Sequence, residues 1–247
     1  MSKPIHAAGV DGCKNGWVAV MISSHESFII QTQTFSDLVE QIDEADTVLV
    51  DMPIGLARDR EETACRPEKQ ARELIPKKGA SIFNAPSELT AYCTTYKDAN
   101  AMNRHITGKG LSKQSYHICK KVREVDMFIK YDSVRGSKLM ESHPEVCFAR
   151  LHPNKNPILQ SKRTAEGRQL RLALLKSYAP DIVATVEQTL DVSMDLQRIA
   201  DDVIDATCLA IVAFHGLKWG FRTVPETPCK NSYDIPMQMV YYEHPSF

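Results

Sequence analysis

The chain has 247 residues, 43% hydrophobic and 25% charged, with 30 Lys and Arg against 31 Asp and Glu. That profile excludes a disordered or collagen-like chain, and its net charge of −1 argues against a protein that coats nucleic acid nonspecifically. The longest apolar run, Ile204 to Phe214, contains Asp205 and is about half of the ~20 residues a bilayer span needs, so no membrane segment is expected.

The length supports one large domain or two small ones with a core that needs no staples. No repeat or Pro/Gly/Ser-rich linker divides it, so residues 1–247 are expected to form one domain. Met1-Ser2-Lys3-Pro4 opens no apolar signal stretch, which points to the cytoplasm. Seven scattered cysteines, Cys13, Cys65, Cys93, Cys119, Cys147, Cys208 and Cys229, show no zinc or redox spacing and read as reduced thiols filling the core. Charge is segregated along the chain. Between Lys109 and Lys176 fifteen Lys and Arg stand against six acids, whereas Asp181 to Asp205 carries seven acids and one Arg.

In chain order, Ile5 to Ile22 reads as a β-hairpin with its turn at Gly12 to Gly16, and Phe28 to Phe35 as a third antiparallel strand. Ser36 is suited to cap a helix over Asp37 to Asp43. Thr47-Val48-Leu49-Val50 is the fully apolar run of a central parallel strand and delivers Asp51 at its carboxyl end. Residues 58–137 read as a mainly helical insertion, with Cys65 to Leu74 and Gln114 to Phe128 its clearest helices. Lys138 to His143 resumes the sheet, with Leu139, Glu141 and His143 on one face, and ends at Pro144. Helices follow at Ala165 to Leu175, Val183 to Leu190 and Asp201 to His215, then a short edge strand at Phe221 to Pro225.

Charges inside apolar elements need partners, because a buried, unpaired carboxylate costs several kcal/mol. Asp11, Asp51 and Glu141 lie on three apolar strands, and Asp202 and Asp205 on one buried helix, with no Lys or Arg adjacent in sequence to match them. Singly, Asp51 is also suited to cap a turn and Asp201 or Asp202 to cap a helix. Together they suit oxygen ligation of a hard divalent cation, Mg²⁺ or Mn²⁺, for water activation and in-line phosphodiester cleavage. Which of Asp202 and Asp205 ligates stays open.

Gly9-Val10-Asp11-Gly12-Cys13-Lys14-Asn15-Gly16-Trp17, Asp51-Met52-Pro53-Ile54-Gly55-Leu56, Glu141-Ser142-His143-Pro144-Glu145 and Asp201-Asp202-Val203-Ile204-Asp205-Ala206 resemble, over nearly the full chain, an uncharacterised family of predicted nucleases with a ribonuclease H-like fold. Cys65-Arg66 with Ala71-Arg72, Ser81-Ile82-Phe83, Glu124-Val125-Asp126, and Lys162-Arg163-Thr164 with Gly167 and Arg171 carry the same resemblance. It implies an α/β fold: a mixed ribonuclease H-like sheet flanked by helices, with the helical insertion after the fourth strand. It also implies that Asp11, Asp51, Glu141, Asp202 and Asp205 are catalytic metal ligands. Arg66, Arg72, Lys162 and Arg163 are candidates to hold phosphate, and His143 to shuttle a proton or orient substrate, although each also suits an ordinary structural or surface role. The expected substrate is a nucleic acid or another phosphorylated compound.

Two other classes share the pattern. An actin-like or sugar-kinase-like phosphotransferase has the same core order, but Pro53 removes a backbone donor where its second phosphate loop would sit. A non-catalytic binding module would keep the fold and bind no metal.

Overall fold

Strand alternation and one apolar helix organise the protein, whose computed structural model describes residues 5–23 and 26–243. The reading of Met1–Pro4 lies outside those residues. The elements run β1 (Ala7–Cys13), β2 (Gly16–Ile22), β3 (Ser27–Thr32), α1 (Phe35–Gln41) and β4 (Thr47–Val50). Six helices follow: α2 (Arg60–Cys65), α3 (Glu68–Leu74), α4 (Glu88–Ala91), α5 (Tyr96–Thr107), α6 (Lys113–Tyr131) and α7 (Ser133–Gly136). The chain then forms β5 (Leu139–Glu141), α8 (Pro144–Leu151), α9 (Ala165–Lys176), α10 (Pro180–Val192), α11 (Met194–Gln197), α12 (Ala200–Trp219), β6 (Arg222–Val224) and β7 (Met239–Tyr241).

The main sheet has the order β3-β2-β1-β4-β5. β1 is its middle strand, antiparallel to β2 and parallel to β4, and β4 is parallel to β5. This mixed sheet with its large helical region after β4 has the ribonuclease H-like topology that the sequence implies.

Because successive side chains point to opposite faces, each inner strand feeds two cores. Ala8, Val10, Val48 and Val50 pack with Phe35 and Leu38 of α1 and Val122 and Val125 of α6. Ala7 and Leu49 pack on the other face with α8, α10 and α12. α12 is apolar almost all round, buried from Val203 to Ala213, and that much apolar surface needs a sheet on one side and helices on the other.

Several boundaries differ from the sequence reading. Phe35 ends no strand; it opens α1, and Thr34 rather than Ser36 caps the helix, its hydroxyl accepting from the Asp37 amide at 3.2 Å. The helix expected over Cys65 to Leu74 is broken into α2 and α3 because Arg66, preceding Pro67, is extended. β5 stops at Glu141, and Pro144 opens a helix as its first residue. Residues 222–224 pair with β7 in a separate two-stranded sheet, not with the edge of the main one.

The cysteine reading also needs correction. Cys65 and Cys229 form a disulfide across 164 residues, while Cys13, Cys93, Cys119, Cys147 and Cys208 are free. Among the described residues no helix is long and apolar enough to cross a membrane.

Candidate functional site

In the parallel pair of β1 and β4, Val10 lies beside Val50, so the next residues, Asp11 and Asp51, are neighbours toward the carboxyl ends of both strands. The Asp51 amide donates to the Val10 carbonyl at 2.9 Å and continues the ladder to that point. Alternation turns both carboxylates to the face that α12 covers. α12 approaches closely because residue 9 is glycine: a Cβ there would collide with the Ala206 carbonyl and the Ala210 amide. One turn before this contact, α12 presents Asp205 and Asp202 beside Asp11. Four aspartates from three elements thus gather at one end of the sheet.

Their electrostatics are dominated by burial. Asp11, only 5% exposed, has its carboxyl pushed well above the usual aspartate range by loss of water, then by Asp51 and Asp205. Burial raises Asp51 too, against the pull of His143 and Lys162. It pushes Asp205 up to about 7, although Lys162 works in the other direction. Asp202 is raised by the same cause. Burial also opposes the charge of Lys162, but Asp205, which accepts a hydrogen bond from its ammonium, and Asp11 outweigh it and keep Lys162 protonated. Lys121 closes the near side: its stem lies where a Cβ on Gly12 would be, its ammonium sits 4.6 Å from the Trp17 ring centroid, and burial lowers its pKa.

Two further groups border the aspartates. His143 precedes α8 and acts on Asp51, and its Nδ1 is buried with no hydrogen-bond partner among the described residues. Glu145, in the first turn of α8, acts on both Asp51 and Asp205. Its Oε1 accepts from Arg171 at 2.7 Å and Lys78 at 3.0 Å, while its Oε2 is buried without a partner among the described residues. Glu145 was no candidate from the sequence; its signal is its place two residues after His143 and directly after a helix-opening proline.

The structure does not bring Glu141 to this cluster. Glu141 lies beside Val50 in the β4–β5 ladder and so shares Val50's face, opposite Asp11 and Asp51. Its carboxylate accepts from Arg66 at 2.9 and 3.0 Å and from the Ile54 amide at 2.7 Å. Arg66 is accordingly no surface phosphate ligand. It is buried, bonded to Glu141 and Glu68 and to the carbonyls of Ile54 and Gly55, and so clamps the loop that leaves Asp51. Arg72 is elsewhere, bonded to the Ile82 carbonyl and the Asn84 side chain. Arg163 is exposed next to Lys162 in sequence.

Lys162 owes its position to two ion pairs that fasten α9 to its neighbours. Arg168 meets Asp201 of α12 at 2.6 Å, and Arg171, wholly buried, meets Glu145. As the side chains lie, no group of three or more His, Cys, Asp or Glu is placed to hold a metal ion among the described residues. What the arrangement offers is a buried surplus of hard oxygen acceptors, partly countered by Lys162 and, at Asp202, by Lys121, at an end of the sheet where Asp51 and Asp202 are partly exposed.

Compared with known proteins, the chain belongs to the family described as protein of unknown function (DUF429), which it matches over residues 9–227. No curated protein and no solved structure matches it.

Proposed function

Proceeding from that membership, we propose that the protein is a Mg²⁺- or Mn²⁺-dependent nuclease whose metal is held by Asp11, Asp51 and Asp205, with Asp202 alongside. The observation that supports this reading most is the convergence of four aspartates from β1, the end of β4 and α12, all with carboxyl groups pushed up, chiefly by burial and in part by one another. The donor set fits such an ion: all oxygen, buried on one side, with a spare Glu145 oxygen on its border.

When bound, the ion supplies activation of a water and neutralisation of charge on a phosphate. The chain's own residues do the rest. Lys162 carries a protonated ammonium that can pair with a phosphate oxygen, and its side chain is 37% exposed, so substrate can reach it. His143 holds an uncommitted ring nitrogen beside Asp51, placed to take or return a proton. Arg66 fixes the loop after Asp51 and thereby the carboxylate that the loop starts from.

One observation favours the non-catalytic alternative. Lys162 already bonds Asp205, and among the described residues no three acidic, thiol or imidazole groups are closed around a common point. Titration of the metal-free protein with Mg²⁺ and Mn²⁺, followed by melting temperature, separates the readings. A saturable rise in melting temperature, with cleavage of single-stranded, duplex, hybrid or branched nucleic acid that Asp11→Asn abolishes, is expected. Absence of both the shift and cleavage would sink the nuclease reading and leave the binding module.

A further inference from the structure

A second site lies in the helical region, away from the aspartates. A cavity of roughly 450 Å³ opens between α3, the 81–85 segment and the loop joining α5 to α6, within the ~300–1,000 Å³ usual for small-molecule sites. Its charge is one-sided. Arg66 and Glu68 in its wall neutralise each other at 2.8 Å, which leaves Lys69, Arg72 and Lys109 as cations with no acid in the lining to oppose them. Among the described residues none of these three is ion-paired.

The start of α6 also borders the cavity. Ser112, at the cavity, caps α6, a helix of 19 residues with no acid in its first turn, so its positive amino-terminal end meets no competing carboxylate. On another side Phe83, 36% exposed, contributes an aromatic ring to the lining. Beside it Asn84 is held by Arg72, whose Nη2 donates to its side-chain oxygen at 2.6 Å and whose Nε donates to the Ile82 carbonyl. That leaves the Asn84 amide nitrogen as a donor to a ligand.

We infer that this cavity binds a nucleoside monophosphate unit, its phosphate among Lys69, Arg72, Lys109 and the start of α6, and its base against Phe83 and Asn84. A bare inorganic anion would satisfy the cations and leave the aromatic ring and amide unused. A nucleobase or neutral nucleoside would use the ring and leave three cations unmatched. The unit can arrive as a free nucleotide or as the phosphorylated end of a strand; the chemistry of recognition is the same. The inference does not rest on the aspartate cluster: none of the four aspartates lines the cavity, and Arg66, which borders it, is already neutralised by Glu68 and Glu141.

Calorimetric titration in chelator-containing buffer, which keeps divalent metal out of the measurement, tests it. The probes are inorganic phosphate, adenosine, adenosine and uridine monophosphates, and a short single-stranded oligonucleotide with and without a 5′-phosphate. A mononucleotide is expected to bind at least about tenfold more tightly than phosphate or nucleoside alone, since charge-assisted and aromatic contacts then act together. Lys69→Glu with Lys109→Glu should weaken it by about tenfold or more, and both positions are exposed, so the fold should persist by circular dichroism. Phe83→Ala should weaken the nucleotide and leave phosphate unaffected. If the 5′-phosphorylated strand binds and mononucleotides do not, the ligand is the strand end. Equal binding of phosphorylated and unphosphorylated probes, binding unchanged in the double variant, or no saturable binding of any probe at millimolar concentration would overturn the inference.

Discussion

Asp11 is held by one close backbone donor, the Gly12 amide at 2.6 Å, and is opposed by the acids around it. Asparagine at this position keeps an oxygen for that amide and removes the charge. Asp11→Asn is therefore expected to stabilise the metal-free protein at neutral pH, raising its melting temperature by roughly 2–4 °C, the shift that ~1 kcal/mol gives a chain of this size. The same substitution should abolish any metal-induced rise. The pH dependence has a definite sign. Asp205 titrates at about 7 in the folded protein and at ~3.9 when unfolded, so the folded state holds the proton more tightly. Its contribution to stability is fully present below about pH 4 and is lost as pH rises through about 7. Metal-free melting temperatures should fall between pH 5 and 8, and the stabilisation given by Mg²⁺ or Mn²⁺ should grow over the same range as the carboxylates give up their protons. A melting curve series with and without metal checks both slopes; a metal-free stability that rises with pH would contradict the buried, crowded state of these acids.

At the scale of elements, the strand and helix runs with strong periodicity were readable: Thr47–Val50 is observed as expected, and α6, α9, α10 and α12 extend the expected helices by only a few residues. The acids that those runs carry, Asp11, Asp51, Asp202 and Asp205, are the ones that the fold gathers. Glu141 was misread because the sequence shows that strand residues alternate but not which face a given strand turns to its neighbour, and the register with Val50 settles that. Its partner Arg66 is 75 positions away, a distance no adjacency argument spans. The disulfide was hidden for the same reason. Cys65 ends α2 and Cys229 lies in the segment after β6; their Cα atoms are 5.9 Å apart in the fold, where Ser232 also donates to Glu62 and Asn231 to the Leu56 carbonyl. A disulfide typically contributes about 2–4 kcal/mol. Reduction with a dithiol, or Cys229→Ser, should lower the melting temperature by several degrees without changing the far-ultraviolet circular dichroism; no shift would mean that the hydrogen bonds alone hold the segment.

For the whole molecule, the distribution of charge decides what a polyanion would find. The basic run from Lys109 to Lys176 is less available than the sequence suggests, because Lys130, Arg135, Lys155, Lys162, Arg168, Arg171 and Lys176 are ion-paired within the fold. The remainder concentrates on α6 and the turn before it, where Lys109, Lys113 and Lys120 are exposed and Arg123 is half-exposed. Such a patch can neutralise only a few phosphates. Each neutralised phosphate contributes about −0.7 to the slope of log K against log salt for a single strand, so three or four contacts give a slope of about −2 to −3. Oligonucleotide binding measured from 50 to 300 mM salt should show that shallow dependence, and Lys113→Gln with Lys120→Gln should reduce it by one to two. A steep slope would mean that the internal ion pairs open to recruit more cations, and the charge map of the folded chain would then be a poor guide to its substrate.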